Sequence, residues 1–190
     1  MDKFSKLKPN SDKPTSKKEN VLFQNKYVKL IEFDDWSIIT GKDCVICIPY
    51  LIEQNKFIIR QEYIPTYKYA EGQDFHLACV GGEIEESETP EESLIRELQE
   101  EAGIVLRENF RIELEKPLFF NKGCSVKCYY CIITLNENDY HEIVPPTDGS
   151  KVEKMSQTAK IDVKYINSLN TSDITTEFML DKLRKHLNLL

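Results

Sequence analysis

Between Thr89 and Gly103 the sequence spells out a helix with both of its ends marked. Thr89 suits the N-cap, Pro90 the first helical position, and Glu92, three residues after Thr89, completes a capping box. Gly103 can take the left-handed conformation that stops a helix, and Ile104 starts the return to the core. The spacing predicts a helix over residues 90–102, about three and a half turns. Leu94, Ile95, Leu98 and Ala102 recur as one apolar stripe, with Glu97, Glu100 and Glu101 expected beside it rather than beneath it. Glu97 stands at i,i+4 to Glu101 and at i,i+3 to Glu100, so three carboxylates crowd one face. An ordinary charge run only keeps a surface wet. This spacing repels itself unless a cation neutralises it, and hard oxygen donors suit magnesium.

Gly82, Glu88, Arg96, Glu97, Leu98, Glu100, Glu101, Gly103 and Ile104 stand in a specific order. It runs Gly, five residues, Glu, seven residues, Arg-Glu, a bulky aliphatic, any residue, Glu-Glu, any residue, Gly and a second aliphatic. The segment resembles the Nudix box, and the close match covers 23 residues, 82–104. The resemblance implies an α+β fold: a Nudix-like α/β/α sandwich with a mixed central sheet, the loop-helix-loop, and N-terminal antiparallel strands. It implies a hydrolase dependent on Mg²⁺ or Mn²⁺ that cuts a nucleoside diphosphate linked to another group. Its metal ligands would be Glu97, Glu100, Glu101 and the backbone carbonyl of Gly81. Arg96 would orient these carboxylates and Glu88 would brace the loop. The general base varies within the family between a box glutamate, here Glu100, and a loop glutamate, here Glu153 first and Glu142 second.

The chemistry agrees with that layout. Pyrophosphate repels a nucleophile, so hard cations must bridge its oxygens, and a carboxylate can take the proton of the attacking water.

Composition bounds the rest. A chain of 190 residues with 41% hydrophobic content buries one good core. Twenty-five basic against 32 acidic residues leave a net charge of -7, which argues against nucleic acid or an anionic membrane as the main partner. No apolar run approaches a membrane span, and residues 1–19 lack the apolar stretch of a secretory signal, so a soluble cytoplasmic protein is expected.

Two CxxC pairs, Cys44/Cys47 and Cys128/Cys131, raise the question of zinc. Each lies within an apolar run that reads as a strand, where i and i+3 point to opposite faces and cannot chelate one ion together. Reduced core cysteines are expected instead.

Residues 1–19, with six lysines, read as a disordered tail, and residues 20–190 as one domain in which 20–50 form an N-terminal strand subdomain. Short strands follow Val21, broken at Asn25-Lys26, Gly41-Lys42 and Gln54-Asn55. A loop is expected over 65–74, a single strand over 75–81, strands at 111–114, 118–120 and 126–135, a polar lid over 136–160, a strand over 160–166 and a helix over 175–187.

Residues 57–82 look like the approach to the box in ADP-ribose pyrophosphatases, whose N-terminal strands mediate a swapped homodimer. Arg60 and Gln61 are the substrate-binding candidates, and Tyr67 or Phe75 could stack on a base. The chain departs from that subgroup at Glu62 and Tyr63, where an Arg usually recurs, at residues 78–82, and at Asn121-Lys122-Gly123. ADP-ribose or a nucleotide sugar is the favoured small nucleotide substrate. The alternatives are a dinucleoside polyphosphate, a nucleotide coenzyme, or a non-catalytic metabolite sensor.

Overall fold

A computed structural model of the chain describes residues 19–26, 28–146 and 155–189. It divides into two compact units. The described part of the first, reaching Gly41 and joined by Asn121–Ser125, is an antiparallel sheet of β1 (Asn20–Gln24), β2 (Lys29–Phe33) and β3 (Trp36–Thr40). The β2–β3 turn has Asp34 and Asp35 at positive φ, a conformation aspartate tolerates better than most residues.

The second unit centres on a mixed seven-stranded sheet. Its strands are β4 (Cys44–Leu51), β5 (Lys56–Tyr63), β6 (Phe75–Ala78), β7 (Val80–Glu83), β9 (Leu118–Phe119), β10 (Lys127–Leu135) and β12 (Gln157–Asp162). β10 runs parallel to β4, and the other pairings are antiparallel. Between its strands lie α1 (Pro65–Glu71), α2 (Pro90–Ala102) and a separate pair, β8 (Ile104–Leu106) with β11 (Tyr140–Glu142). A 3₁₀ turn (Val163–Ser168) leads to α3 (Ile174–His186).

Strand alternation sorts the core into two layers. Val45, Cys47, Cys131 and Ile133 face Leu94 and Leu98 of α2. Ile48, Phe57, Ile59 and Tyr130 face Met179, Leu180 and Leu183 of α3. Leu94 and Leu98 are fully buried, each stabilising by about 1.5–3 kcal/mol. The expected helix-sheet-helix sandwich is therefore present.

β4 and β5 pair only beside their turn, at Tyr50↔Phe57 and Leu51↔Lys56. They then diverge, β5 taking β6 as its partner and β4 taking β7. The expected single strand over 75–81 is thus two strands changing partners at Cys79. This splay opens the sheet where β7 meets α2.

Other expectations need correction. Residues 65–71 form a helix, begun by Pro65 and closed by Gly72 in the left-handed region. Residues 111–114 form no strand, although Ile112 and Leu114 pack on the core. Within the segment 136–160, read as a polar loop, 140–142 pair with β8 and 157–160 belong to β12, while 147–154 lie outside the described residues. Of residues 1–19, expected to be a disordered tail, 1–18 also lie outside them.

Candidate active site

α2 forms as its local signals dictate. Thr89 N–H donates to Glu92 Oε2 at 2.8 Å, and Glu92 N–H returns to Thr89 Oγ1 at 3.2 Å. Gly103 closes the helix at φ 65°. The helix is rotated from the expected apolar stripe, however. Ile95 is exposed, whereas Glu97 and Glu101 are buried, each 7% exposed. They tolerate burial because each faces positive charge or an N–H, which apolar packing could not provide.

Arg96 gathers the acids of this segment. Its Nε donates to Glu88 Oε1 at 2.8 Å, and its Nη1 reaches Glu97 Oε1 at 2.6 Å and Glu100 Oε2 at 3.1 Å. Its Nη2 bonds the Glu83 carbonyl at 3.0 Å, tying the helix to the end of β7. The Arg96 hydrogen bonds hold the Glu88 carboxyl below the usual carboxylate range. Glu88 also accepts from Glu85 N–H at 3.2 Å, bracing the loop.

Glu101 points the other way, into the splayed sheet. Its Oε2 accepts from Gly81 N–H at 2.8 Å and its Oε1 lies 3.2 Å from Arg60 Nη2. Arg60 Nη1 and Thr158 Oγ1 both donate to the Glu101 carbonyl, at 3.3 and 2.6 Å. Burial nevertheless pushes the Glu101 carboxyl up to about 8, against the pull of Arg60 and Gly81, with the charges of Glu62 and Glu97 adding to the rise.

The two glycines permit these approaches for different reasons. A Cβ on Gly81 would strike the Val45 carbonyl and lie 2.8 Å from Ile46 Cα, so only glycine lets β7 approach β4 this closely. A Cβ on Gly82 would strike the Glu97 carboxylate, so this glycine leaves room for the acid itself.

Arg60, Glu100 and Glu101 line one cleft of about 410 Å³ with Pro145, Gln157 and Thr158. Gln61, the next residue on β5, lies instead in a separate cleft of about 210 Å³ with His76 and Asn170, because neighbouring strand residues face opposite ways. Glu142 is on the surface, bound by Lys160 Nζ at 2.5 and 2.6 Å. Glu153 lies outside the described residues. Tyr67 stacks on His76 at 3.9 Å between ring centres, and Phe75 meets Tyr63 edge-on, so both aromatics are engaged in packing.

Two features escaped the sequence. Glu62 lines a groove of about 220 Å³ with Gly81, Gly82 and Thr175. Ile46 and Thr175 also line a recess of about 180 Å³ walled by Phe119, Phe120, Tyr130 and Phe178. The exposed run Leu118-Phe119-Phe120 was the one sequence signal for that recess.

All six cysteines are free. Cys44 is in register with Cys128 and Cys47 with Cys131, and members of each CxxC pair face opposite sides of the sheet. Burial pushes the Cys79 and Cys131 thiols up to about 12, the behaviour of inert core sulfur.

The acids suit a divalent cation in donor chemistry, since all are hard oxygens and burial keeps Glu101 from ionising readily even beside Arg60. Among the described residues no three acidic, His or Cys side chains converge as a metal cluster. Arg96 draws Glu97 and Glu100 to itself.

Residues 43–161, well over half of the chain, match the model of the NUDIX domain. An 8-oxo-dGTP diphosphatase of Haemophilus influenzae is 46% identical over 65 residues, covering 30% of this chain and 48% of that protein. The match therefore spans about half the length of this relative. A solved structure described as an ADP compounds hydrolase superposes with a TM-score of 0.67 at 15% identity, over 95% of this chain and 97% of that one, which shows a shared fold. The chain belongs to the Nudix family of pyrophosphohydrolases, whose members generally use divalent metal ions. Among the described residues no helix is long and apolar enough to cross a membrane.

Proposed function

We propose that this chain hydrolyses the pyrophosphate bond of a nucleoside diphosphate derivative with Mg²⁺ or Mn²⁺, ADP-ribose or a nucleotide sugar being the first candidates. The observation that carries this reading is the buried pair Glu97 and Glu101 packed against Gly82 and Gly81, with a guanidinium beside each. Acids so placed hold an unfavourable charge that a cation relieves. Glu97, Glu100, Glu101 and the Gly81 carbonyl would hold the ion, which when bound neutralises pyrophosphate charge and acidifies water.

The protein's own groups have separable tasks. Arg96 positions Glu97 and Glu100, and Arg60 holds Glu101 at the 410 Å³ cleft. Glu100, half-exposed at the mouth of the 410 Å³ cleft, accepts the proton of the attacking water, with Glu153 as the loop alternative. The aromatic recess beyond Ile46 offers stacking faces to a base. The printed description of the structural neighbour, an ADP compounds hydrolase, supports an adenosine diphosphate derivative. Retention of a self-repelling acid cluster favours an enzyme over a metabolite sensor.

Residues 20–190 act in this reading as one cytoplasmic hydrolase domain behind the 1–19 tail. Its N-terminal strands pair in a homodimer, supported by the exposure of Val21, Leu22 and Phe23 on β1. Small nucleotides, rather than nucleic acid or membrane, are its partners.

The test is a panel of nucleotides incubated with Mg²⁺ in ¹⁸O-labelled water, with wild type and Glu101→Gln. Turnover of a diphosphate derivative that needs Mg²⁺ and is abolished by the substitution supports the reading. Turnover unaffected by the substitution overturns the site.

A further inference from the structure

We infer that Glu62 is a ribose reader: its carboxylate accepts the 2′- and 3′-hydroxyls of the substrate's nucleoside and makes the site selective for ribonucleotides over 2′-deoxyribonucleotides. This inference rests on the proposed nucleotide hydrolysis and names which nucleotides the site admits.

The position of Glu62 follows from the splay of the sheet. Its strand, β5, pairs with β6 at Glu62↔His76 after parting from β4, so the side chain overlooks the gap that β7 closes farther along. In that gap Glu62 shares the 220 Å³ groove with Gly81 and Gly82. Those glycines back directly onto Glu101 and Glu97, the acids assigned to the pyrophosphate end. At the other end, Ile46 and Thr175 line both this groove and the aromatic recess. Glu62 therefore shares one groove with the glycines at the phosphate end and with Ile46 and Thr175, which also wall the place for a flat ring. In a nucleotide the sugar joins those two parts.

The chemistry of the side chain selects the same group. A carboxylate repels phosphate and accepts only from donors, and a vicinal diol presents two O–H groups to its two oxygens. An acid on the ribose hydroxyls is how dinucleotide-binding folds read the same sugar. Arg60 pairs with one oxygen of Glu62, Nε lying 3.3 Å from Oε1 without an aligned hydrogen bond, while the same guanidinium bonds the Glu101 carbonyl through Nη1 and pairs with Glu101 Oε1 through Nη2. The ion pair is made through Oε1, which leaves Oε2 to face a ligand. The neighbouring acid in the groove, Asp173, is committed: its Oδ2 caps α3 through Thr176 N–H at 2.6 Å, and its Oδ1 accepts from Tyr67 and Thr175 at 3.1 and 3.0 Å. Glu62 is 28% exposed, within reach of a ligand but partly out of water, where a charge-assisted bond counts for more.

The experiment compares kcat/KM for ADP-ribose and its 2′-deoxyadenosine counterpart in wild type, Glu62→Gln and Glu62→Ala. Calorimetric binding of ADP and 2′-deoxy-ADP in Mg²⁺ runs in parallel. Wild type should favour the ribo compound roughly ten- to a hundredfold in both measurements, the range of a lost charge-assisted hydrogen bond. Both substitutions should bring that ratio toward one, alanine further than glutamine. A merely structural role, acting through Arg60, would lower both compounds alike and leave the ratio untouched, which overturns the inference. Equal binding of the two nucleotides by wild type, or binding of neither, also overturns it. Intact discrimination in binding without any turnover would support the ribose reader while removing the hydrolase reading.

Discussion

Arg60 and Glu101 meet 3.2 Å apart at the point where the sheet splays, with side chains only 6% and 8% exposed. The contact links β5 to α2, and it sets a buried acid against a buried base without neutralising the acid fully. Breaking it from one side is costly, because Arg60 also donates to the Glu101 carbonyl and both groups then lose a buried partner. Arg60→Ala should destabilise the fold by about 1–3 kcal/mol in urea denaturation near neutral pH, where the Glu101 carboxyl takes up a proton, with the loss growing as pH rises and that carboxyl is forced to ionise without a partner. Adding Glu101→Gln should remove the extra loss at high pH.

The same acid makes stability depend on pH. Burial lifts Glu101 to about 8 from its usual 4.5, so the folded state holds this proton more tightly than the unfolded chain. The sign follows: its contribution to stability is complete below about 4.5 and is lost as pH rises through about 8. Thermal melts of metal-free protein stepped through that window should fall, and Glu101→Gln should flatten the fall. Binding of a divalent cation must expel the proton, so at neutral pH calorimetry in buffers of differing ionisation enthalpy should register proton release.

Gly81 and Gly82 should respond differently to a single methyl group. Gly82→Ala meets only the end of a flexible side chain, the Glu97 carboxylate. Its melting temperature should stay near wild type while kcat falls about a hundredfold, the cost of displacing a catalytic group by an ångström. Gly81→Ala meets the backbone of β4 and should unfold the strand pairing, seen as a lowered melting temperature.

At the far end of α2, Gly103 combines φ 65° with a Cβ position blocked by the Ile143 carbonyl. Gly103→Ala should cost about 1–3 kcal/mol by denaturant titration. Thr89→Ala, which removes the capping box, should cost about 1 kcal/mol by the same measurement.

What could be read from the chain was what its neighbours in sequence decide. α2 is delimited by Thr89, Pro90, Glu92 and Gly103, all local signals, and it begins and ends where they place it. The acids of the helix were visible for the same reason. Their burial was not, because it depends on Arg60 and Gly81, 41 and 20 residues away from Glu101. Glu62 showed only as a departure from a family pattern, since its groove exists only once β4 and β5 part. Tyr140–Glu142 lacks strand composition and pairs with β8 beside the Gly103 turn, where Ile143 N–H donates to the Gly103 carbonyl. Conversely, the alternation of Ile112 and Leu114 suggested a strand, but those side chains pack on the core from an irregular segment tied by Glu115 N–H to the Tyr130 carbonyl.

The central claim is that the acids of α2 hold a divalent ion. Titrating Mn²⁺ and following the loss of its free-ion electron paramagnetic resonance signal tests it most directly, in wild type and Glu101→Gln side by side. The account predicts saturable Mn²⁺ binding by wild type that Glu101→Gln weakens by at least roughly tenfold, the lower end for removing a charged partner. Equal affinity in the two proteins, or no saturable binding by wild type, would contradict it.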